Sequence, residues 1–371
     1  MTRPSRPLAI AHVTGETGFS GGEVQVFLLM EGLRARGHRC GLVCPRDSRS
    51  ATEAGVRGFE TWEVPMRSSA SPLAIWRVAA ALRECAPDLV HLHTGRANWI
   101  GSLAAHRLGL PAITTRRMDR EVKRGPRTRW LYGRGVRRAV AISAAVERCL
   151  LDGGVPKEMI RVIHSAVDAS ALRPSRERDE LRREAGLTDD AVCILALVSL
   201  VRRKGLDVLL EAISRLEAKR SAVFWIAGEG PERDALERRS RELGLEQRVR
   251  FLGRREDRAD LLAACDALVL PSRREGLGVA ALEAMACGRA VVASRVGGLA
   301  ESVVDDVTGL LVPPADATAL AGALERIVSD AALRQRLGAA GPGRIAESYG
   351  AEQMTEAYER VYADVLARPS A

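Results

Sequence analysis

Short apolar runs alternate with amphipathic segments along most of this 371-residue chain. In the first half, the strand-like runs are residues 8–13, 41–44, 89–92, 112–115 and 140–142. Between the first two, the segment from Glu23 to Arg36 places apolar residues at helical spacing and stops at Gly37. This alternation predicts a parallel sheet with helices on both faces.

The alternation pauses and then resumes, which predicts a second domain. Residues 164–190 are rich in charge and contain no clear strand. A second series of strand-like runs follows at residues 193–198, 223–227, 249–252, 267–270, 290–293 and 310–312, and residues 351–366 form a last helical segment. Because 371 residues are many for a single core, we expect two Rossmann-like domains, residues 1–169 and 170–350. Ligands bind beyond the carboxyl ends of such sheets, so two domains facing each other would enclose a cleft.

The composition is that of an ordinary globular protein, with 46% hydrophobic and 28% charged residues. No stretch approaches the ~20 apolar residues that span a bilayer, and the amino-terminal residues lack the apolar core of a secretory signal. The seven cysteines include no CxxC pair, which fits a reducing compartment and offers no disulfide or zinc framework. We therefore expect a cytoplasmic protein.

The net charge of +9 is unevenly distributed, because one segment of the chain is strongly basic. Ten Lys and Arg residues stand between Arg116 and Arg138, against only Asp119 and Glu121. Such a block either attracts phosphate or forms an ordinary solvated surface. Because no aromatic platform or known binding motif accompanies it, we expect no nucleic-acid partner. An anionic acceptor, or an anionic membrane surface on which the protein is peripheral, stays open.

The segment at residues 271–288 follows one predicted strand and leads into a helix. Gly276 and Gly278 leave backbone amides uncovered where the helix begins, which suits a phosphate or a sugar hydroxyl. Glu275 in the loop and Glu283 on the helix can each hold sugar hydroxyls, one in the transferred sugar and one in a ribose. The alternative is that Glu283 faces solvent and Glu275 caps the helix.

Three further strand-to-helix turns carry glycine or positive charge. After the first strand of the second series, Arg203 and Lys204 precede a glycine and suit a diphosphate, unless they form only a basic surface turn. Gly228 ends the next strand in a turn that suits the floor of a nucleotide site. Gly297 and Gly298 form a similar turn near the end of the series.

In this order and spacing, these segments resemble the family 4 retaining glycosyltransferases of the GT-B fold. The resemblance covers nearly the whole chain, and its most specific part is the stretch at residues 275–288. In the first half it rests on the glycine loop at residues 21–23, the strand at residues 88–93 and the run at residues 161–168. It implies an α/β protein with two Rossmann-like domains facing a cleft, and a last helix, within residues 351–371, that packs back on the first domain.

The resemblance also implies an activity. The enzyme would transfer a hexose, with retention of anomeric configuration, from a UDP- or GDP-linked sugar to a glycan, lipid-linked or small-molecule acceptor. The nucleotide sugar is a substrate, and neither a cofactor nor a metal is required. Such an enzyme would serve the synthesis of cell-envelope polysaccharide or glycolipid.

The resemblance assigns roles to individual residues. By analogy, Glu283 would hold the ribose, Glu275 the donor sugar and Lys204 the diphosphate, with Arg203 as a second cation. The other residues predicted to bind the donor are Ser199, Gly228, Arg254, Gly276, Leu277 and Gly278. The residues predicted on the acceptor side are Gly21, Gly22, His93, Arg116 and Arg117.

Two positions depart from the family pattern. The family usually has an arginine five residues before the lysine, where this chain has Ser199, and Arg203 is our candidate for the missing charge. Many members have a histidine after the strand at residues 112–115, where this chain has Arg116 and Arg117. Because arginine stays protonated, either side chain would hold an anionic acceptor rather than act as a base.

Two histidines alternate with other residues on one predicted strand. We expect at most one of His91 and His93 to point toward a given neighbour, and each to be a packed or strand-end histidine rather than a catalytic one. Along the sequence, no group of His, Cys and Asp has convincing metal-ligand spacing, so no metal site is predicted.

Two other classes of function stay open. The loop at residues 14–21 resembles the TGxxGxxG loop of extended short-chain dehydrogenases and sugar-nucleotide epimerases, which would bind NAD. However, none of the four tyrosines is followed four residues later by the lysine that this mechanism needs. The other alternative is a non-catalytic protein that binds a sugar nucleotide or a glycan, suggested by the departures at Ser199 and Arg116.

Overall fold

The computed structural model describes residues 4, 6–66, 68, 71–188, 191–217 and 222–367. The described residues fall into two compact units: unit 1 lies within Met1–Ala166 and Ala351–Ala371, and unit 2 within Val167–Gly350. The chain passes from unit 1 to unit 2 at residue 166, whereas the sequence predicts the boundary at residue 169. Among these residues, no helix is both long and apolar enough to cross a membrane.

Unit 1 is an open α/β domain built on a parallel sheet. Its strands are β1 (Ala9–Val13), β2 (Arg39–Cys44), β3 (Glu60–Glu63), β4 (Leu89–Leu92), β5 (Ala112–Arg116), β6 (Arg138–Ala141) and β7 (Ile160–Val162). Its helices before the crossing to unit 2 are α1 (Gly21–Ala35), α2 (Arg49–Val56), α3 (Pro72–Cys85), α4 (Gly95–Arg107), α5 (Pro126–Trp130) and α6 (Ala144–Asp152). In the described part of unit 1, the strand order is β3-β2-β1-β4-β5-β6-β7.

Unit 2 repeats this architecture with a smaller sheet. Its strands are β8 (Val192–Leu197), β9 (Ala222–Ala227), β10 (Val249–Gly253), β11 (Ala267–Leu270), β12 (Ala290–Ser294) and β13 (Gly309–Val312). Its helices are α7 (Arg178–Glu184), α8 (Leu206–Ser214), α9 (Arg233–Glu242), α10 (Arg258–Ala264), α11 (Val279–Ala286), α12 (Leu299–Ser302), α13 (Ala317–Ser329) and α14 (Ala331–Ser348). The order of the described strands is β10-β9-β8-β11-β12-β13. Strands β8 and β9 are almost continuously apolar and buried, as strands covered by helices on both faces must be.

Each sheet has one point at which the order of its strands reverses. In unit 1 the point lies between β1 and β4, because the chain builds outward from β1 on one side and from β4 on the other. In unit 2 it lies between β8 and β11 for the same reason. Loops at the carboxyl ends of these strand pairs diverge to opposite faces and leave a crevice, where open α/β sheets bind ligands.

The last helix, α15 (Ala351–Leu366), follows unit 2 in sequence but belongs to unit 1. It packs against α1, where a Cβ atom on Gly32 would lie 2.3 Å from Thr355 Oγ1, so glycine permits the close approach. Glu359 of α15 then lies 2.9 Å from His38 Nε2 and 2.9 Å from Arg36 Nε. These contacts fasten α15 to the helix and turn that lead into β2.

Candidate functional site

The switch point of unit 2 brings Lys204 and Glu275 together. Lys204 ends a short 3-10 turn, Arg202–Lys204, after β8, and Glu275 lies in the loop after β11. Gly205 closes the turn with φ of +67°, and a Cβ atom there would lie 2.0 Å from the carbonyl oxygen of Pro271. Only glycine therefore lets the two loops approach this closely.

The two side chains form an ion pair with little access to solvent. The Lys204 ammonium donates a hydrogen bond to Glu275 Oε2, and the side chains are 12% and 11% exposed. Ser272 Oγ donates to the same oxygen over 3.2 Å, and Arg203 Nη1 lies 4.0 Å from Glu275 Oε1. A buried ion pair adds little to the stability of a protein, so stability alone does not explain this one. The lysine suits a diphosphate, and the carboxylate suits sugar hydroxyls.

The glycines of the β11–α11 loop allow a second close approach. Gly278 has φ of +86° at the start of α11, and a Cβ atom there would lie 2.4 Å from Leu299 Cδ2. A Cβ atom on Gly298 would lie 2.4 Å from the carbonyl oxygen of Gly276, and the Gly298 amide donates to Glu275 O over 3.2 Å. The described residues provide no side-chain cap for α11, whose N-cap residue is Gly278. No side chain therefore accepts a hydrogen bond from the amides of its first turn.

Glu283 is buried on α11, so the alternative in which it faces solvent is wrong. Arg258 of α10 lies 2.9 Å from Glu283 Oε1. Oε2 is buried without a hydrogen-bond partner among the described residues. Burial raises the pKa of this carboxyl, and the charge of Arg258 opposes the rise. A buried oxygen without a partner is costly, and a ligand hydroxyl would relieve that cost.

Three other residues predicted to bind the donor follow neighbouring strands of unit 2. Gly228 after β9 has φ of +147°, and a Cβ atom there would lie 1.9 Å from the carbonyl oxygen of Val198. Its amide donates to Gly253 O over 2.7 Å, which joins the ends of β9 and β10. Ser199 and Arg254 are exposed at the ends of β8 and β10.

In unit 1, three buried histidines gather at the switch point. His12 Nδ1 lies 2.9 Å from His93 Nε2, and the rings of His91 and His93 are 4.0 Å apart. The expectation that at most one of His91 and His93 points toward a given neighbour is wrong, because residues two apart share one face of a strand. Burial, and then the charge of Arg117, lowers the pKa of His12 to about 3. Burial likewise holds the pKa values of His91 and His93 well below their usual range.

This cluster has the composition of a metal site, which the sequence spacing does not indicate. One nitrogen from each of His12, His91 and His93 lies within 4.8 Å of the others. However, both nitrogens of His91 are engaged, with Tyr362 at 2.8 Å and Thr115 at 2.7 Å. A cation here would also face the charge of Arg117, which is close enough to lower the pKa values of all three histidines. The electrostatics favour an anion over a metal ion.

The basic stretch at residues 116–138 does not form one solvated patch. Six of its ten basic side chains are exposed, whereas Arg138 is buried and pairs with Asp364 at 2.6 Å. The Arg116 guanidinium donates to the carbonyl oxygen of Arg120. All three guanidinium nitrogens of Arg117 are buried, and its Cδ would lie 3.6 Å from a Cβ atom on Gly22. Gly22 and its exposed neighbour Gly21 form the first turn of α1.

The sequence pattern does not single out three residues near these sites, which are His12, Arg258 and Ser272. His12 lies near the carboxyl end of β1, the end of a strand at which open α/β sheets bind ligands. Ser272 follows β11 directly, and only Arg258 stands in a segment with no recognisable signal.

Comparison with solved structures gives the fold class. The HepE protein of Anabaena, solved in complex with UDP-glucose, superimposes with a TM-score of 0.85 over 96% of this chain and 100% of its own, at 21% identity. This likeness confirms the predicted GT-B fold, in which two Rossmann-like units follow one another along the chain.

Comparison of sequences gives the family. The model described as Glycosyltransferase Family 4 matches residues 19–171, and the model described as Glycosyl transferases group 1 matches residues 177–344. The lipopolysaccharide core biosynthesis glycosyltransferase LpsD of Rhizobium meliloti is 31% identical over 92% of this chain and 94% of its own length. The chain belongs to the family 4 glycosyltransferases.

Other relatives have different named activities. A D-inositol 3-phosphate glycosyltransferase of Saccharomonospora viridis is 31% identical over 83% of this chain and 77% of its own length. An N-acetyl-alpha-D-glucosaminyl L-malate synthase of Bacillus anthracis is 28% identical over 57% of this chain, and the match spans about half of that relative, 55%. Membership of the family therefore defines glycosyl transfer but not the substrates.

Proposed function

We propose that this protein transfers a hexose from a UDP- or GDP-linked sugar to a glycan, lipid-linked or small-molecule acceptor, and retains the anomeric configuration. Unit 2 binds the donor at the switch point between β8 and β11, and unit 1 binds the acceptor. The reaction needs no metal ion and no cofactor. The product belongs to cell-envelope polysaccharide or glycolipid synthesis, and the LpsD relative is named for one such process, lipopolysaccharide core biosynthesis.

The observation that carries the proposal is the arrangement of two carboxylates and two cations around the glycine turns of unit 2. Lys204 pairs with Glu275 in the loops at the switch point, and Arg203 lies 4.0 Å from the same carboxylate. Glu283 Oε2 is a buried acceptor that lacks a partner in the described part of the chain. A nucleoside diphosphate sugar brings a diphosphate for the cations and ribose and sugar hydroxyls for the carboxylates.

Each residue has a role in this mechanism. Lys204 and Arg203 neutralise the charge that develops on the leaving diphosphate, which is the work a metal ion does in other transferases. Glu283 accepts hydrogen bonds from the ribose, and Glu275 accepts them from the donor sugar once Lys204 turns to the phosphate. The leaving phosphate takes the proton of the acceptor hydroxyl, so no side chain has to act as a strong base.

The donor class is supported by the HepE complex with UDP-glucose, which has the same fold. Two of the relatives are named for D-inositol 3-phosphate and for the product N-acetyl-alpha-D-glucosaminyl L-malate, and these names support a small-molecule acceptor. The alternative of a dehydrogenase or epimerase gains no support from the family match. Turnover of a donor would exclude the alternative of a non-catalytic protein that binds a sugar nucleotide or a glycan.

The test is slow donor hydrolysis in the absence of acceptor. Wild-type protein is incubated with UDP-glucose, UDP-galactose, UDP-N-acetylglucosamine and GDP-mannose, each with and without EDTA, and NMR identifies the anomer released first. We expect one donor to be hydrolysed. The sugar released first should have the same anomeric configuration as the donor, and EDTA should have no effect on the rate. The Lys204→Ala variant should lose at least about tenfold in rate, because it removes a charged donor to the leaving group. Release of the opposite anomer, dependence on metal, or full activity in Lys204→Ala would contradict the proposal.

A further inference from the structure

Arg117 has a buried guanidinium for which the described residues supply no hydrogen-bond partner. It follows β5 directly, and none of its three guanidinium nitrogens makes a hydrogen bond within the described residues. Burial lowers the pKa of this side chain from its usual value. A buried charge without a partner is among the most costly features a folded protein can keep. An arrangement of this cost points to a ligand that supplies the missing charge.

The side chains around Arg117 supply only part of that charge, and from a carboxylate to which Arg117 makes no hydrogen bond. Glu23 of α1 is near enough to affect it, but its carboxylate accepts hydrogen bonds from Ser20 N at 2.9 Å and Ser20 Oγ at 2.7 Å. The other titratable neighbours are His12 of β1, His91 and His93 in and after β4, and Tyr358 and Tyr362 of α15. Burial keeps these three histidines and two tyrosines neutral. One carboxylate, whose Oε2 accepts from Ser20, therefore stands beside Arg117 among neutral groups.

Further polar atoms without partners lie at the same end of the sheet. His12 Nε2, Thr14 Oγ1 and His93 Nδ1 are buried and unpaired among the described residues. All three belong to the ends of β1 and β4, which flank the switch point of unit 1. The first turn of α1 adds the positive end of a 15-residue helix, and its Gly22 would place a Cβ atom only 3.6 Å from Arg117 Cδ. The Thr14 hydroxyl, one of the two histidine nitrogens and the helix terminus can each donate to an oxyanion.

We propose that unit 1 binds an oxyanion of the acceptor, a phosphate or a carboxylate, on the guanidinium of Arg117. Two parallel N–H groups of arginine match two oxygens of either anion. Thr14 Oγ1 can donate to a third oxygen, as can one of His12 Nε2 and His93 Nδ1, because two neutral rings that share a hydrogen bond leave a single outer N–H. This inference rests on the proposed function, because it names the chemical group by which the acceptor is held. It also assigns the anion to Arg117 and not to its neighbour Arg116, since Arg116 already donates to the Arg120 carbonyl.

The test uses free anions and a readout for each unit. Hydrogen–deuterium exchange is measured with inorganic phosphate and with malonate, following peptides that cover residues 10–24, 89–97 and 112–120. All proteins carry Lys204→Ala, which removes the predicted diphosphate contact in unit 2 as a second source of phosphate binding. The variants are Arg117→Met, Arg117→Lys and, as the matched control, Arg116→Met.

We expect phosphate or malonate to slow exchange in these peptides in the Lys204→Ala parent and in the Arg116→Met control. Arg117→Met should raise the apparent Kd of the anion by at least about tenfold, and Arg117→Lys by less, because lysine keeps the charge without the fork. Arg117→Met should also melt at a higher temperature than its parent when no anion is present, since an apolar chain replaces an unpaired charge. Phosphate protection without malonate protection would assign a phosphate, and the reverse a carboxylate.

Two results would overturn the inference. One is that neither anion protects the unit 1 peptides of the parent, and the other is that Arg117→Met is protected as well as Arg116→Met. Binding of UDP and GDP to wild-type protein is measured separately by calorimetry. If neither nucleotide binds to wild-type protein, that result counts against the proposed function. It does not affect the result for the anion site.

Discussion

Acidification should destabilise unit 1 through its buried histidines, and His12 permits a quantitative prediction. The pKa of His12 is lowered from 6.5 to about 3, first by burial and then by the charge of Arg117. Because the folded pKa lies below the unfolded one, the unfolded chain binds a proton more readily. The stability that His12 provides is complete above pH 6.5 and is lost as the pH falls toward 3. Between pH 7.5 and pH 5, this one group should cost unit 1 about 2 kcal/mol.

The variant His12→Asn isolates this contribution. An asparagine amide can take the position of Nδ1, which lies 2.9 Å from His93 Nε2, and it does not titrate. Native-state hydrogen exchange of amides in β1 and β4 gives the unfolding free energy of unit 1 at both pH values. Wild type should lose about 2 kcal/mol more than His12→Asn between these pH values, because the remaining groups are common to both proteins.

The control is His106→Asn, at an exposed histidine of α4 outside the cluster. It should lose as much free energy on acidification as wild type does. If His12→Asn also loses as much as wild type, His12 is protonated in the folded protein and the electrostatic description of the cluster is wrong.

Three further predictions concern the turns and the last helix. Gly228→Ala should destabilise unit 2 by about 3 kcal/mol or more, since its Cβ would lie 1.9 Å from Val198 O, whereas Gly244→Ala, with φ of +66° but open space, should cost about 1 kcal/mol. Thermal unfolding of both variants checks the difference. Arg203→Ala should weaken binding of the donor nucleotide by roughly tenfold, and Ser199→Arg in that background should restore it, as measured by calorimetry. Glu359→Gln should speed amide exchange in α15 by about tenfold, because His38 and Arg36 lose their charged partner at 2.9 Å.

Much of the fold is predictable because its strands are buried on both faces and read as apolar runs. Strands β4 and β11 have the predicted bounds, and the others shift by one or two residues at their ends. The two missed strands do not give such a run. Strand β3 has exposed glutamates at both ends on a sheet edge, and β7 has three residues of which one is buried. Edge strands keep the backbone hydrogen bonds to their neighbour but lack the run of apolar residues by which a buried strand is predicted.

The candidate site of unit 2 is predictable for a related reason. Its residues lie in short continuous segments directly after strands, so local sequence shows both the glycine turn and the charges beside it. The pairing of Lys204 with Glu275 follows once β8 and β11 are neighbours in the sheet. The partner of Glu283 could not be predicted, because Arg258 comes from a helix whose segment carries no motif.

The histidine cluster of unit 1 depends on contacts distant in sequence. His12 and His93 are 81 positions apart, and His91 is held by Tyr362, which is 271 positions away on α15. No spacing rule joins such residues. The sequence predicts Arg116 and Arg117 alike, because local sequence cannot tell which of two adjacent guanidinium groups lacks a partner within the described residues.

Binding of nucleoside diphosphates to unit 2 tests the proposed donor site directly. Calorimetry with UDP, GDP, ADP and NAD is performed on wild type, on Glu283→Ala and on the control Glu242→Ala, whose glutamate is exposed on α9. We expect UDP or GDP to bind to wild type and to the control, and at least about tenfold more weakly to Glu283→Ala, which lacks the carboxylate that accepts from the ribose. Binding of NAD in place of UDP and GDP, or equal affinity of all three proteins for the nucleotide, would contradict the proposed donor site.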